Sequence, residues 1–196
     1  MTTWLVIFIL AAYLLASISC AILLSQLLIK QDIRSKGSGN PGASNMLRTT
    51  GKKAAAAVLS FDVLKGALPV YAAYLFGFDA IALGMVAISA CIGHIFPLYF
   101  QFRGGKGVAT ALGTLIVLNI SLALSLVGTW LLMFFASRIS SLAAITVILV
   151  APIYTYLIQP ELTLSVSIIC LLILFKHKQN VKRLFSKQEP KLRPPD

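Results

Sequence analysis

Runs of about twenty apolar residues, parted by short polar breaks, recur along this chain and constrain its fold more than any other feature, because a bilayer core about 30 Å thick is crossed by about 20 residues of helix. Such runs lie at 2–28, 54–76 and 80–100. Between the first two, the stretch from Lys30 to Lys53 is too charged and too rich in glycine to face lipid, while Gly77-Phe78-Asp79 makes a tight turn between the second and third. The 196 residues are 58% hydrophobic and 12% charged, with mean hydropathy +0.88, more apolar surface than one soluble core of this length can hide.

From Gly107 to Phe175 the breaks are weak: Asn119, Ser137-Arg138 and Gln159-Pro160-Glu161. Parity narrows the choice. If the segment carrying Arg103 and Lys106 shares a side with the one carrying Lys176, an even number of crossings joins them, and two would exceed the roughly 17 to 25 residues that span. Four crossings are therefore expected, near 108–118, 120–136, 139–157 and 162–175. The first is short, so the loop before it is expected to dip into the bilayer, where non-helical backbone must pack on protein or line a cavity. The expected fold class is all-α, a polytopic integral membrane helical bundle of about seven transmembrane helices, one short or re-entrant, with the N-terminus outside; five spans is the alternative. No internal repeat of the kind many transporters carry is evident. Residues 1–196 read as a single membrane domain with a short basic tail at about 185–196.

A net charge of +11 could suggest a nucleic-acid binder, but fifteen of the seventeen basic residues fall in 30–53, 103–106 and 176–193, between the apolar runs. That arrangement speaks for topology and anionic ligands and against DNA. It puts these three stretches in the cytoplasm and Met1, Asp79 and Glu161 outside. Cys20, Cys91 and Cys170 lie far apart in apolar runs, without the spacing of a zinc site, and read as buried thiols. The N-terminus lacks the positive region of a signal peptide, although Ile18-Ser19-Cys20 faintly resembles a lipoprotein cleavage site; an uncleaved first span is expected.

Three polar stretches can carry chemistry. The first, Gly37-Ser38-Gly39-Asn40-Pro41-Gly42-Ala43-Ser44-Asn45 followed by Arg48, can bring backbone N–H groups, hydroxyls and amides close to a ligand oxygen, with a planar cation for phosphate or carboxylate. A flexible surface turn is the plainer reading. In the second, Gly93-His94 and Pro97 precede Arg103-Gly104-Gly105-Lys106-Gly107, which runs directly into a helix containing Thr110. Unpaired amides and the helix dipole favour an anion there, and Lys106 adds a point charge. This is not a nucleotide loop of the G-x-x-x-x-G-K-[ST] type, since glycine follows the lysine. His94 reads equally well as a hydrogen-bonded histidine near a helix end. In the third stretch, His177 and Asn180 share a helical face with Leu184 while the lysines face water, and Arg183 and Glu189 follow; a basic tail on anionic headgroups is the plainer reading. Asp62 and Lys65, at i and i+3 in an apolar run, can neutralise each other and are expected to form a structural ion pair near the membrane surface.

Taken together, the three stretches resemble the bacterial acyl-phosphate:glycerol-3-phosphate acyltransferases, the PlsY family. The family's G-S-G-N-x-G-A-T-N-x-x-R matches from Gly37 to Arg48, with Ser44 for threonine. Its G-H-x-x-P and F-x-G-G-K-G-V-A-T match Gly93 to Pro97 and Phe102 to Thr110. Its H-x-x-N-I-x-R-L-x-x-G-x-E matches His177, Asn180, Arg183, Leu184 and Glu189, with Val181 for isoleucine and Lys187 for a glycine. Lys187 removes a permissive backbone position just before Glu189.

The resemblance implies transfer of a fatty acyl group from acyl phosphate to the 1-hydroxyl of sn-glycerol 3-phosphate, giving lysophosphatidic acid and phosphate, the first acylation of phospholipid synthesis. It implies catalysis by Ser38, His177 and Asn180, and substrate binding by Gly39, Asn40, Asn45, Arg48, His94, Gly104, Gly105, Lys106, Gly107, Thr110 and Arg183, with Glu189 structural. The common His-x4-Asp acyltransferase motif is absent, because Tyr99 and Lys182 stand five residues after His94 and His177. No metal or nucleotide cofactor is expected, since lysine, arginine and amide dipoles can neutralise both phosphates. Expected partners are the two substrates, membrane lipid and, functionally, an enzyme that forms acyl phosphate; the expected location is the bacterial inner (cytoplasmic) membrane, with the site on the cytoplasmic face. A small organic-phosphate transporter would also want basic loops and a broken helix at depth, and a lipid-binding scaffold would want the basic tail.

Overall fold

The computed structural model describes residues 2–192, and among them every regular element is helical. In chain order these are α1 (Thr2–Ala16), α2 (Cys20–Ile29), α3 (Ala43–Thr49), α4 (Lys52–Leu75), α5 (Ala80–Ile95), α6 (Val108–Leu118), α7 (Ile120–Ser137), α8 (Ser140–Ile158), α9 (Thr163–Lys176) and α10 (Lys178–Phe185). Five helical segments, the first being α1 with α2, are long and apolar enough to cross a bilayer; α9 and α10, bent by 60° from one another, add a sixth if the two count as one span. Helix α6, at 11 residues, covers only about 16 Å and falls short of a full crossing, as its sequence implies.

Packing follows the logic of lipid, with small residues inside and large ones outside. Ala12, Ala16, Ala87, Ala90, Ala143 and Ala151 are buried, whereas Leu27, Leu132, Leu157, Leu164 and Leu171 are exposed. Lipid tails are as apolar as leucine, so close backbone approach, dispersion and hydrogen bonds hold such helices together. The tightest crossing joins α4 to α6. A Cβ at Gly66 would overlap the backbone carbonyl of Thr110, and one at Gly113 would overlap that of Val63.

Contacts between loops sort the breaks onto two ends. At one end Arg34 reaches Phe100, Lys106 reaches Asn180, Glu189 reaches Ser141, and the Leu192 amide meets the Arg138 carbonyl. At the other, the Asn119 amide donates to Gln159 across 2.9 Å, and the rings of Trp4 and Phe8 lie 5.4 Å from Phe76 and Phe78 respectively. The caps follow the sequence: Asp79 accepts from the Ala82 amide to start α5, and Asn119 accepts from the Leu122 amide to start α7.

Three expectations are corrected. The first apolar run is not one continuous helix, because it breaks at Ser17-Ile18-Ser19 between α1 and α2. The break frees the Ile18 carbonyl, and the Lys65 ammonium donates to it across 2.9 Å while pairing with Asp62 at 2.8 Å. The pair therefore lies in the middle of α4, fully enclosed by protein, not near the membrane surface. It satisfies a backbone group that lipid could not. The polar stretch after α2 is also more ordered than expected, since it contains α3 and the short turn Ile33–Ser35.

Gly113→Ala should lower the unfolding free energy in detergent by about 1–3 kcal/mol, because α4 and α6 must part to admit the methyl. Gly128 in α7 has open space around it, so Gly128→Ala should be neutral or stabilising by up to about 1 kcal/mol. Equal thermal or denaturant shifts for the two variants would contradict the crossing.

Candidate functional site

The three polar stretches meet at one end of the bundle around a cavity of about 250 Å³. Ser38, Gly39, Asn40 and Pro41 form one wall, Gly104 and Lys106 a second, and Phe175, Lys176, Lys178, Gln179, Asn180 and Arg183 a third. Among the described residues four cations line it and no carboxylate does.

Each wall is built locally. In the first, the buried Asn45 at the start of α3 donates to the Lys36 carbonyl at 3.0 Å and accepts from the Ser38 amide at 2.9 Å, which shapes the loop that presents Ser38. In the second, Gly104 and Gly105 press against α5. A side chain on Gly104 would overlap the His94 carbonyl, and one on Gly105 the His94 ring, so the loop can sit this deep only with hydrogen at both positions. Gly107 turns the chain into α6 with φ +91°, a conformation that a Cβ disfavours. The third wall follows the bend at His177. There the buried imidazole bonds the Ile173 carbonyl through Nδ1 at 2.8 Å; a carbonyl can only accept, so Nδ1 carries the proton and Nε2 is left as an acceptor.

One chain of polar contacts ties the second wall to the third. The Lys106 ammonium donates to Asn180 Oδ1 at 2.7 Å, and Asn180 Nδ2 donates to Glu189 Oε1 at 2.6 Å. Glu189 also accepts from Ser141 at 2.7 Å and from Arg183 Nε at 2.6 Å. Burial raises the Glu189 pKa, but hydrogen bonds from Arg183, Ser141 and Asn180 outweigh it and hold the carboxyl below its usual range. For Lys106, burial dominates and nearby Arg183, Arg48 and Lys176 add repulsion that Glu189 only partly offsets, so its pKa falls to about 8. Cations gathered this closely, one of them desolvated, are stabilised by an arriving anion.

Not every expected residue reaches the cavity wall. Asn45 acts from behind the first loop. His94 lies beneath Gly105 and approaches Asp62 to 3.4 Å without hydrogen-bonding geometry. Thr110 is enclosed, its hydroxyl without a partner, where α6 meets Gly66. Arg48 is half-buried with Nε unpartnered, and burial lowers its pKa. Gly105 and Gly107 shape the second loop, and His177 sits at the bend instead of within one helix with Asn180 and Leu184. Five lining residues carry no motif signal of their own: Pro41, Phe175, Lys176, Lys178 and Gln179. Lys187 takes φ +56°, the left-handed backbone that costs a non-glycine residue about 1–2 kcal/mol, and the Glu189 contacts form all the same.

A family model described as glycerol-3-phosphate acyltransferase matches residues 6–187. A glycerol-3-phosphate acyltransferase of Vibrio vulnificus (strain YJ016) is 51% identical over 181 residues, 92% of this chain and 89% of the relative. One from Pseudoalteromonas translucida (strain TAC 125) is 53% identical over 181 residues, again 92% and 89%. The fold is similar to the crystal structure of PlsY, an integral membrane glycerol 3-phosphate acyltransferase, in its glycerol 3-phosphate form: TM-score 0.91, 35% identity, 96% of each chain covered. The lysophosphatidic acid form of PlsY gives TM-score 0.87 over 95% of this chain and 94% of that one.

Glu189→Gln should free the tail. Hydrogen bonds to a charged group contribute about 1.5–3 kcal/mol, so tryptic cleavage after Lys191 should speed up by about tenfold or more. Unchanged cleavage would show that Glu189 does not anchor the segment.

Proposed function

The chain belongs to the glycerol-3-phosphate acyltransferase family, and from that membership and the chemistry of the cavity we propose that it moves a fatty acyl group from acyl phosphate to the 1-hydroxyl of sn-glycerol 3-phosphate. The observation that carries the reading is a cavity edged by two glycine-rich loops and, among the described residues, four cations and no carboxylate, at one end of a bilayer-type bundle. Both substrates carry phosphate and one carries an apolar tail. The solved relatives named for glycerol 3-phosphate and lysophosphatidic acid support the acceptor and the product.

Acyl phosphate is already an activated mixed anhydride, so positioning and charge stabilisation can supply the catalysis. The 1-hydroxyl oxygen attacks the acyl carbon, the bond from that carbon to the phosphate oxygen breaks, and a phosphate oxygen takes the hydroxyl proton. Lys106 and the amides of 105–107 hold one phosphate, Arg48 and Arg183 supply further positive field, and Ser38 lines the cavity, its hydroxyl there to donate to developing charge. Asn180 spends Oδ1 on Lys106 and one N–H on Glu189, leaving one N–H for substrate. His177, fixed by the Ile173 carbonyl at the bend, leaves Nε2 free to accept a hydrogen bond at this corner. We read 1–196 as one domain of the bacterial inner membrane with the cavity facing the cytoplasm, where the clustered basic residues favour it and where an acyl-phosphate-forming enzyme would supply the donor.

Purified protein given acyl phosphate and glycerol 3-phosphate should release inorganic phosphate and the 1-acyl product, and acyl-CoA should not replace the donor. Lys106 is charged below its depressed pKa of about 8 and loses its proton above it, so kcat/KM should fall as pH rises through about 8. Equal turnover with acyl-CoA, an acyl group trapped on Ser38, or a flat profile to pH 10 would contradict this scheme.

A further inference from the structure

The two loops come from segments some seventy residues apart in sequence; the Pro41 carbonyl lies against Gly105, Phe100 packs on the cluster around Ile33 and Met46, and Arg34, a side chain outside every motif, adds hydrogen bonds across. Arg34, in the turn Ile33–Ser35, donates from Nη1 to the carbonyl of Phe100 at 2.9 Å and to that of Arg103 at 3.4 Å. Its other nitrogens are fixed by Asp32, with Nε 2.9 Å and Nη2 2.7 Å from Oδ2, and Asp32 also caps the turn by accepting from the Arg34 amide at 2.8 Å. The guanidinium is thus oriented before it reaches across.

Its targets flank a strained stretch. Gln101 and Phe102 both adopt left-handed backbone, φ +58° and +57°, although neither is glycine. Such residues persist where the surroundings over-determine them. Here the Phe102 amide is held by the Pro97 carbonyl at 3.0 Å, the Gly104 amide by the Ile95 carbonyl at 3.2 Å, and Arg34 takes the carbonyls on either side. On its own side, the turn carrying Arg34 continues directly into the first loop: Gly39 donates to the Lys36 carbonyl at 2.9 Å, and a Cβ in its place would lie 3.2 Å from the Arg34 carbonyl.

We propose that Asp32 and Arg34 form a positioning clamp that sets the separation of the 38–41 loop from the 104–106 loop, and hence the placement of one bound phosphate relative to the other. This rests on the acyl transfer proposed above. Each loop keeps its own amides and cations without the clamp, so each substrate still binds. What is lost is the alignment of hydroxyl oxygen and acyl carbon, where a misplacement of about 1 Å can cost about a hundredfold in rate.

The test uses full-length protein with Arg34→Met and Arg34→Lys; the lysine keeps the charge but not the planar fork. Spin labels at Lys36 and Arg103, in a background without the native cysteines, report the loop separation. The clamp predicts kcat lower by about tenfold or more in Arg34→Met, with both KM values within about threefold of native, and a broadened label distance. Arg34→Lys should fall between, and it serves alone if the methionine variant does not fold. An unchanged distance distribution with unchanged kcat, or a raised KM for one substrate at native kcat, would overturn the proposal. If native protein does not turn over, the transfer reading fails, while the label distances still decide the clamp.

Discussion

The hydrogen bond from the Lys106 ammonium to Asn180 is the interaction on which the architecture of this site turns. It joins a loop that enters α6 to a helix that begins sixty residues after α6 ends, and Glu189 fixes its far side by holding Asn180, Arg183 and Ser141 at once. A partly buried lysine is costly to keep charged. Here that cost is distributed over an amide and a distant carboxylate, which leaves the ammonium positive yet unsatisfied enough to welcome phosphate.

The bilayer imposes the remainder. Without water, a freed backbone group must find a protein partner, and the clearest case is the Ile18 carbonyl at the break between α1 and α2, met by Lys65. Asp62 offsets the lysine, and His94 beside it supports the glycine loop from below. A buried polar cluster at depth and the 104–107 loop at the end of the bundle are therefore continuous through α5. The small-residue crossings of α4 with α6 and of α1 with α5 bring them close enough to touch, with Gly93 against the Tyr13 carbonyl in the second.

Much of this was legible in residues alone. Run length located the spans, parity set α6 to α9, and Asp79 and Asn119 marked helix starts by their capping chemistry. The motif glycines pointed to close backbone approach, and Gly104 and Gly105 do lie against His94. The break after Ala16 was hidden, because Ser17 and Ser19 are ordinary in an apolar helix and the partner that makes the break tolerable lies 47 residues on. The roles of His94 and Thr110 behind the cavity were hidden for a related reason: a motif reports that residues act together without saying which face the ligand. Arg34 escaped notice because one arginine in a basic loop reads as topology until its carbonyl partners are seen.

The central claim is that three polar segments share one aqueous face. Single-cysteine variants at Lys36, Arg103 and Lys178, and at Asp79 and Glu161, can be probed in sealed, oriented vesicles with a membrane-impermeant thiol reagent. The first three should react only from the cytoplasmic side and the last two only from the opposite side. Labelling of Lys36, Arg103 and Lys178 variants from different sides would contradict the account, since no cavity could then gather both phosphates.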